Sequence, residues 1–122
     1  EITTLILPGL NDSAGDMRRE AEWIARNAGR KVPLHLSRYF PMYLRDTPAT
    51  PAGTILQLKD IASEYLDFVY TGNMSGRDGG GDTVCPSCHS VVVRRSGYHT
   101  AVTGLTDEGR CSGCNEMIMK WI

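Results

Sequence analysis

The strongest constraint on this 122-residue chain is the spacing of its cysteines. All four lie in two Cys-x-x-Cys pairs, Cys85-Pro86-Ser87-Cys88 and Cys111-Ser112-Gly113-Cys114, separated by the twenty-two residues 89 to 110. A Cys-x-x-Cys turn aims both sulfurs to one side, and two such turns joined by a hairpin build a closed tetrahedral shell of the kind structural Zn²⁺ prefers. Four thiolates leave no open position for a substrate water, so a metal here is structural. A segment of about 40 residues has too little core to order itself, so the ion supplies much of its folding free energy. Other uses of the same cysteines are two disulfides, a thioredoxin-like redox pair, or iron in a rubredoxin-like site. His89, next to Cys88, is an alternative ligand or a surface turn residue.

The segment before the cysteines has a different character. Ile2 to Leu7 is an apolar, β-branched run without clear alternation, which predicts a strand buried on both faces, and Pro8-Gly9 ends it. Ser13-Ala14-Gly15-Asp16 reads as a capping box with Asp in place of Glu. Met17, Ala21, Ile24 and Ala28 follow at helical spacing up to a stop at Gly29. Pro33 to Ser37 predicts a second strand. Thr50-Pro51 offers an N-cap and a first-turn proline for a helix whose apolar face carries Ile55, Leu58, Ile61 and Tyr65, and Asp67 to Thr71 predicts a third strand.

Strand, helix, strand, helix, strand is the order of βαβ units with parallel strands. The fold class is therefore α/β: residues 1–72 form a βαβαβ portion of a TIM-like barrel or larger sheet, 73–82 a Gly-rich linker with Gly79-Gly80-Gly81, and 83–122 a small β-rich zinc ribbon. Three parallel strands alone leave bare edges, and the chain begins at Glu1 with no initiator Met or basic leader, so a fragment of a longer protein is expected. The glycine run lacks the Gly-Lys-Ser/Thr of a phosphate loop.

Composition excludes several classes. Hydrophobic residues are 41% and charged residues 22%, and no apolar run approaches the roughly 20 residues of a membrane span, which predicts a soluble chain without a membrane partner. Cysteines in metal-type pairs make the cytoplasm the expected compartment. Thirteen Lys and Arg against fourteen Asp and Glu give a formal charge of −1. From Thr83 onward Arg94, Arg95, Arg110 and Lys120 face Asp107, Glu108 and Glu116, a near balance that argues against nucleic acid as a partner.

Residues 1–12, Glu-Ile-Thr-Thr-Leu-Ile-Leu-Pro-Gly-Leu-Asn-Asp, with Pro33-Leu34-His35-Leu36-Ser37-Arg38-Tyr39, Val69-Tyr70-Thr71-Gly72-Asn73 and the four-cysteine ribbon, carry a family resemblance. Arg95-Ser96-Gly97-Tyr98, Gly109-Arg110-Cys111 and Trp121 extend it over essentially the whole chain. The chain resembles the AmmeMemoRadiSam system radical SAM enzymes, which are similar to pyruvate formate-lyase activating enzyme. The resemblance implies the last strands of a partial barrel that holds S-adenosylmethionine and a [4Fe-4S] cluster, followed by a zinc ribbon. The cluster's Cys-x3-Cys-x2-Cys loop does not occur in this sequence, so this chain alone is expected to be inactive.

By the same analogy Leu7, Pro8, Gly9, Leu10, Asn11 and Asp12 line the adenosyl side of the pocket, and His35, Arg38 and Tyr39 face it. From the residues alone the first segment is equally an ordinary Asx-capped turn, His35 a sheet residue and Arg38 a surface residue. The implied partners are the missing N-terminal part of the barrel and a protein substrate or system partner. A stand-alone zinc-ribbon binding module and a rubredoxin-like electron carrier are the alternatives. The family's glycines after each second cysteine are here His89 and Asn115, which predicts strain in the first knuckle. The turn at Glu64 to Asp67 lacks its glycine stop, and Ile118 to Trp121 replaces a proline-glycine turn.

Overall fold

A computed structural model describes residues 1–41, 48–72, 81–96 and 99–119. It is α/β, with a parallel sheet followed by a small antiparallel one. The chain separates into two compact units, Glu1–Gly80 and Gly81–Ile122. Most of the predicted linker, together with Asn73, Gly97, Tyr98 and Trp121, lies outside the described residues.

In the first unit β1 (Ile2–Ile6), α1 (Ala14–Asn27), β2 (Leu34–Arg38), α2 (Ala52–Ala62) and β3 (Val69–Gly72) alternate, and the strands lie in the order β1-β2-β3, all parallel. Ser13 caps α1 by accepting from the Asp16 amide at 3.1 Å. The Ser13 hydroxyl, and then Arg19, hold the Asp16 carboxyl below its usual range. Gly29, at φ 105°, ends the helix: its amide and that of Ala28 both reach the Ile24 carbonyl.

The core is one cluster in which Met17, Ala21 and Ile24 of α1 and Ile55, Leu58 and Ile61 of α2 pack on Ile6, Leu34, Leu36 and Val69. These sheet residues share one face, because side chains alternate along a strand and the register pairs Ile2 with Leu34 and Leu34 with Val69. Both helices therefore lie on the same side of the sheet.

The other face carries Thr3, Leu5, His35, Ser37, Tyr70 and Gly72. Thr3 and Leu5 are exposed on it. The expectation that the first strand is buried on both faces is thus corrected: β1 is covered on its helix side only. The apolar run is misleading because Leu5 points away from the helices, 46% exposed.

Two further differences follow from local bonding. Asp67 stays outside β3, its amide bonded to the Arg30 carbonyl at 2.9 Å and its carboxylate taking Arg30 Nη2 at 3.3 Å. Thr50 does not cap α2. Pro51 holds the N-cap position, and the fully buried Thr50 hydroxyl donates to the Ile6 carbonyl at 2.6 Å and accepts from the Tyr39 amide at 3.2 Å. Thr50 thereby ties the ends of β1 and β2 together just before α2.

The second unit holds β4 (Thr83–Val84), β5 (Val91–Ser96) and β6 (His99–Val102), antiparallel in that order, with a register shift between Thr83 and Val84. Val92, Val93, Ile118 and two cysteines form its small interior. Among the described residues, no helix is long and apolar enough to cross a membrane.

Candidate metal centre

The two cysteine turns are built alike. The Cys85 amide donates to the Ser90 carbonyl and its carbonyl accepts from the His89 amide, both at 2.9 Å. The Cys111 amide donates to the Glu116 carbonyl and its carbonyl accepts from the Asn115 amide, both at 2.8 Å. Each loop turns back through a left-handed residue directly after its second cysteine, His89 at φ 62° and Asn115 at φ 68°. The positions where the sequence departs from glycine are therefore the positions whose backbone favours glycine.

Equal turns place equal sulfurs. Cys85 and Cys111, the first of each pair, are buried, while Cys88 and Cys114 are exposed. The ligand atoms of all four lie within 4.8 Å of one another, with Cys85 Sγ 3.5 Å from Cys114 Sγ and Cys88 Sγ 3.6 Å from Cys111 Sγ. Sulfurs about 2.3 Å from a central ion in a tetrahedron stand about 3.8 Å apart, so this cage fits one Zn²⁺. The sulfurs are too far apart for disulfides, whose S–S distance is about 2.05 Å, and all four cysteines are free.

The metal-free electrostatics show what the ion does. The Ser90 hydroxyl and backbone favour the Cys88 thiolate, with Cys111 adding to them, and bring Cys88 down to about 6. The Glu116 backbone favours the Cys114 thiolate too, but hydrogen bonding with Cys85, desolvation and the sulfurs of Cys88 and Cys111 outweigh it. Cys114 is pushed up to about 12. Crowded sulfurs resist sharing several negative charges, and a divalent cation removes that resistance by binding every ligand as a thiolate.

The other residues singled out by sequence are divided between structure and open surface. Leu7-Pro8-Gly9-Leu10 is a tight turn, with the Leu10 amide on the Leu7 carbonyl at 3.1 Å and Gly9 at φ 77°. The Asn11 side chain clamps it, accepting from the Leu7 amide at 2.7 Å and donating to the Leu5 carbonyl at 2.9 Å. Asp12 is half-buried beside it. Arg38 points its Nε at the Thr50 carbonyl and places its guanidinium 4.7 Å above the Phe40 ring. Tyr39 is buried, with its backbone paired to Thr50. His35 lies on the open face, its ring stacked on Tyr70 at 5.2 Å. The Leu7–Asp12 turn, Arg38 and Tyr39 thus gather at the C-terminal ends of β1 and β2, and His35 lies deeper along the sheet.

Over 121 residues, 97% of its length, the chain is 36% identical to the Methanocaldococcus jannaschii protein named Uncharacterized protein MJ0808. It covers 36% of that protein. The chain thus spans about a third of the length of the curated relative it matches. No family model matches the chain, and no solved structure does either.

Sequence reasoning passed over several residues that hold the site together. Arg95 binds the start of the ribbon, its amide on the Asp82 carboxylate at 2.8 Å and its guanidinium on the Gly81 carbonyl and Thr83 hydroxyl at 2.8 and 2.7 Å. Arg110 donates to the Asn115 carbonyl at 3.1 Å and steadies the second knuckle. Both arginines stood in recognisable motifs, but their backbone partners are set by hairpin closure. Ser90 leaves a fainter signal, a hydroxyl two residues after a ligand.

Proposed function

We propose that this chain is the C-terminal part of a radical S-adenosylmethionine enzyme of the AmmeMemoRadiSam type, its first unit a section of the barrel wall and its ribbon a structural zinc module. The observation that carries the reading is the one-sided winding of the first unit. Parallel strands in sequential order with both helices on one face suit a barrel wall, whereas a doubly wound sheet reverses its order and places helices on both faces. The open face then becomes the barrel interior, and the strand C-termini, where the Leu7–Asp12 turn and the Thr50 staple lie, its mouth.

The extent of the match to the relative agrees, since a third of a longer protein is what the last strands and a terminal module would occupy. The four cysteines here are drawn into one mononuclear cage and fit no cubane, so cluster ligands belong to other parts of the longer protein. When bound, a [4Fe-4S] cluster supplies the electron that cleaves S-adenosylmethionine to a 5'-deoxyadenosyl radical. This chain's part is to shape the wall, exclude water and close the end with the ribbon.

The test uses the full-length protein, reconstituted without oxygen with iron and sulfide and given S-adenosylmethionine and a strong reductant. Formation of 5'-deoxyadenosine and one zinc per chain is expected. A protein that holds only a single iron in the four-cysteine cage and forms no 5'-deoxyadenosine would establish the electron-carrier reading instead.

A further inference from the structure

The register of the parallel sheet sorts the open face into rows. Thr3, His35 and Tyr70 form one row, and Leu5, Ser37 and Gly72 the next, about 6.6 Å closer to the strand C-termini. The deeper row is dominated by the stacked His35 and Tyr70 rings, and His35 Nε2 is buried without a hydrogen bond, 3.7 Å from a Glu1 carboxylate oxygen. The upper row is different. Leu5 stands exposed, Ser37 is half-buried with no hydrogen bond from its hydroxyl among the described residues, and Gly72 presents bare backbone. A Cβ on Gly72 would come within 3.2 Å of Ser37 Oγ, so the missing side chain is what leaves that hydroxyl accessible.

This row holds an apolar side chain, a group that both donates and accepts, and a gap above an aromatic floor, but no charge. A neutral, flat, hydroxyl-bearing ligand group matches it, and a carboxylate or ammonium does not. Of the two halves of S-adenosylmethionine, only the adenosyl half has that character. Arg38 lies on the opposite face of β2 and Tyr39 is buried against Thr50, so neither is offered to this row.

We propose that Ser37, kept open by Gly72, hydrogen-bonds a ribose hydroxyl of S-adenosylmethionine while Leu5 packs against the adenosyl group. The assignment rests on the radical S-adenosylmethionine reading and adds the residues of β1, β2 and β3 that seat the nucleoside.

Full-length, cluster-reconstituted protein and its Ser37→Ala, Gly72→Val and Trp23→Ala variants are compared by equilibrium dialysis with S-adenosylmethionine and its 2'-deoxy and 3'-deoxy analogues. Zinc content and thermal unfolding serve as fold controls. Ser37→Ala weakens S-adenosylmethionine binding about three- to tenfold, the range for one lost hydrogen bond, and Gly72→Val by roughly tenfold or more. Trp23, exposed on α1, is the control and stays within about twofold. The decisive readout is the analogue lacking the bonded hydroxyl: wild type binds it more weakly than S-adenosylmethionine, and Ser37→Ala no longer distinguishes the two. Should Gly72→Val fail to fold, Ser37→Ala decides, because that hydroxyl bonds nothing in the fold.

If wild type binds S-adenosylmethionine and forms 5'-deoxyadenosine while Ser37→Ala binds it equally and still discriminates the analogues, this assignment is overturned and the enzyme reading stands. If wild type neither binds nor cleaves it, both fall.

Discussion

Single residues carry the geometry of the cysteine cage. His89 and Asn115 occupy the same left-handed position in the two knuckles but do not bear it equally, since a short amide side chain suits that conformation better than an imidazole. We expect His89→Gly to stabilise the zinc-bound ribbon by about 1 kcal/mol and Asn115→Gly by less than about 0.5 kcal/mol. Chelator competition at fixed zinc checks the difference, and equal effects would show that the first knuckle is not strained. Gly109 is the opposite case. It sits at φ 78°, and its carbonyl accepts from the Ile118 and Met119 amides at 3.0 and 3.1 Å. A Cβ there would collide with the Met119 carbonyl oxygen. Gly109→Ala should cost about 2 kcal/mol or more and weaken zinc retention, seen as a lower melting temperature for the ribbon.

At the scale of elements, two devices join segments that are distant in sequence. Thr50 bonds β1 and β2 through a wholly buried hydroxyl. Thr50→Val keeps the shape and leaves the Ile6 carbonyl without that donor. A loss of about 1 to 3 kcal/mol from the first unit is expected in urea unfolding, with the ribbon's zinc unchanged. The second device is the ion, which joins the β4–β5 turn to the loop after β6. Chelation should abolish the amide-exchange protection of β4 to β6 and leave that of β1 to β3. Protons act in the same direction. Cys88 lies below its unfolded value, so its contribution is complete above the unfolded pKa and is lost as pH falls through about 6. Cys114, at about 12 without metal, must release its proton to bind, which also makes acid oppose zinc. A titration with a chromogenic chelator should therefore show zinc leaving on acidification toward and below about pH 6, and zinc retention unaffected by acid would count against thiolate ligation.

The whole chain combines a one-sided parallel layer with a metal-dependent module. Expressed by itself it exposes the outer edges of β1 and β3 and a face carrying Leu5, His35 and Tyr70, so self-association is expected in sedimentation velocity. A monomer in which both units unfold in a single transition would contradict this. The fold class and the metal cage were legible in the sequence because both rest on short-range rules: Cys-x-x-Cys spacing, helical periodicity ending at Gly29, and strands alternating with helices. Elsewhere local pattern was insufficient. The run from Ile2 to Leu7 reads as buried on both faces, Thr50-Pro51 reads as a cap, and Arg38 reads as an equal of His35, because none of these spacings says what lies opposite. The sequence by itself determined which elements form and which sulfurs meet, since those outcomes depend on neighbours within a few residues or on the only thiols available. Tertiary structure alone decided that both helices cover one face, that Thr50 ties two strand ends, and that Ser37 rather than Arg38 shares the open face with His35. Those depend on crossover handedness, parallel register and side-chain alternation, which exist only once strands distant in the chain are laid side by side.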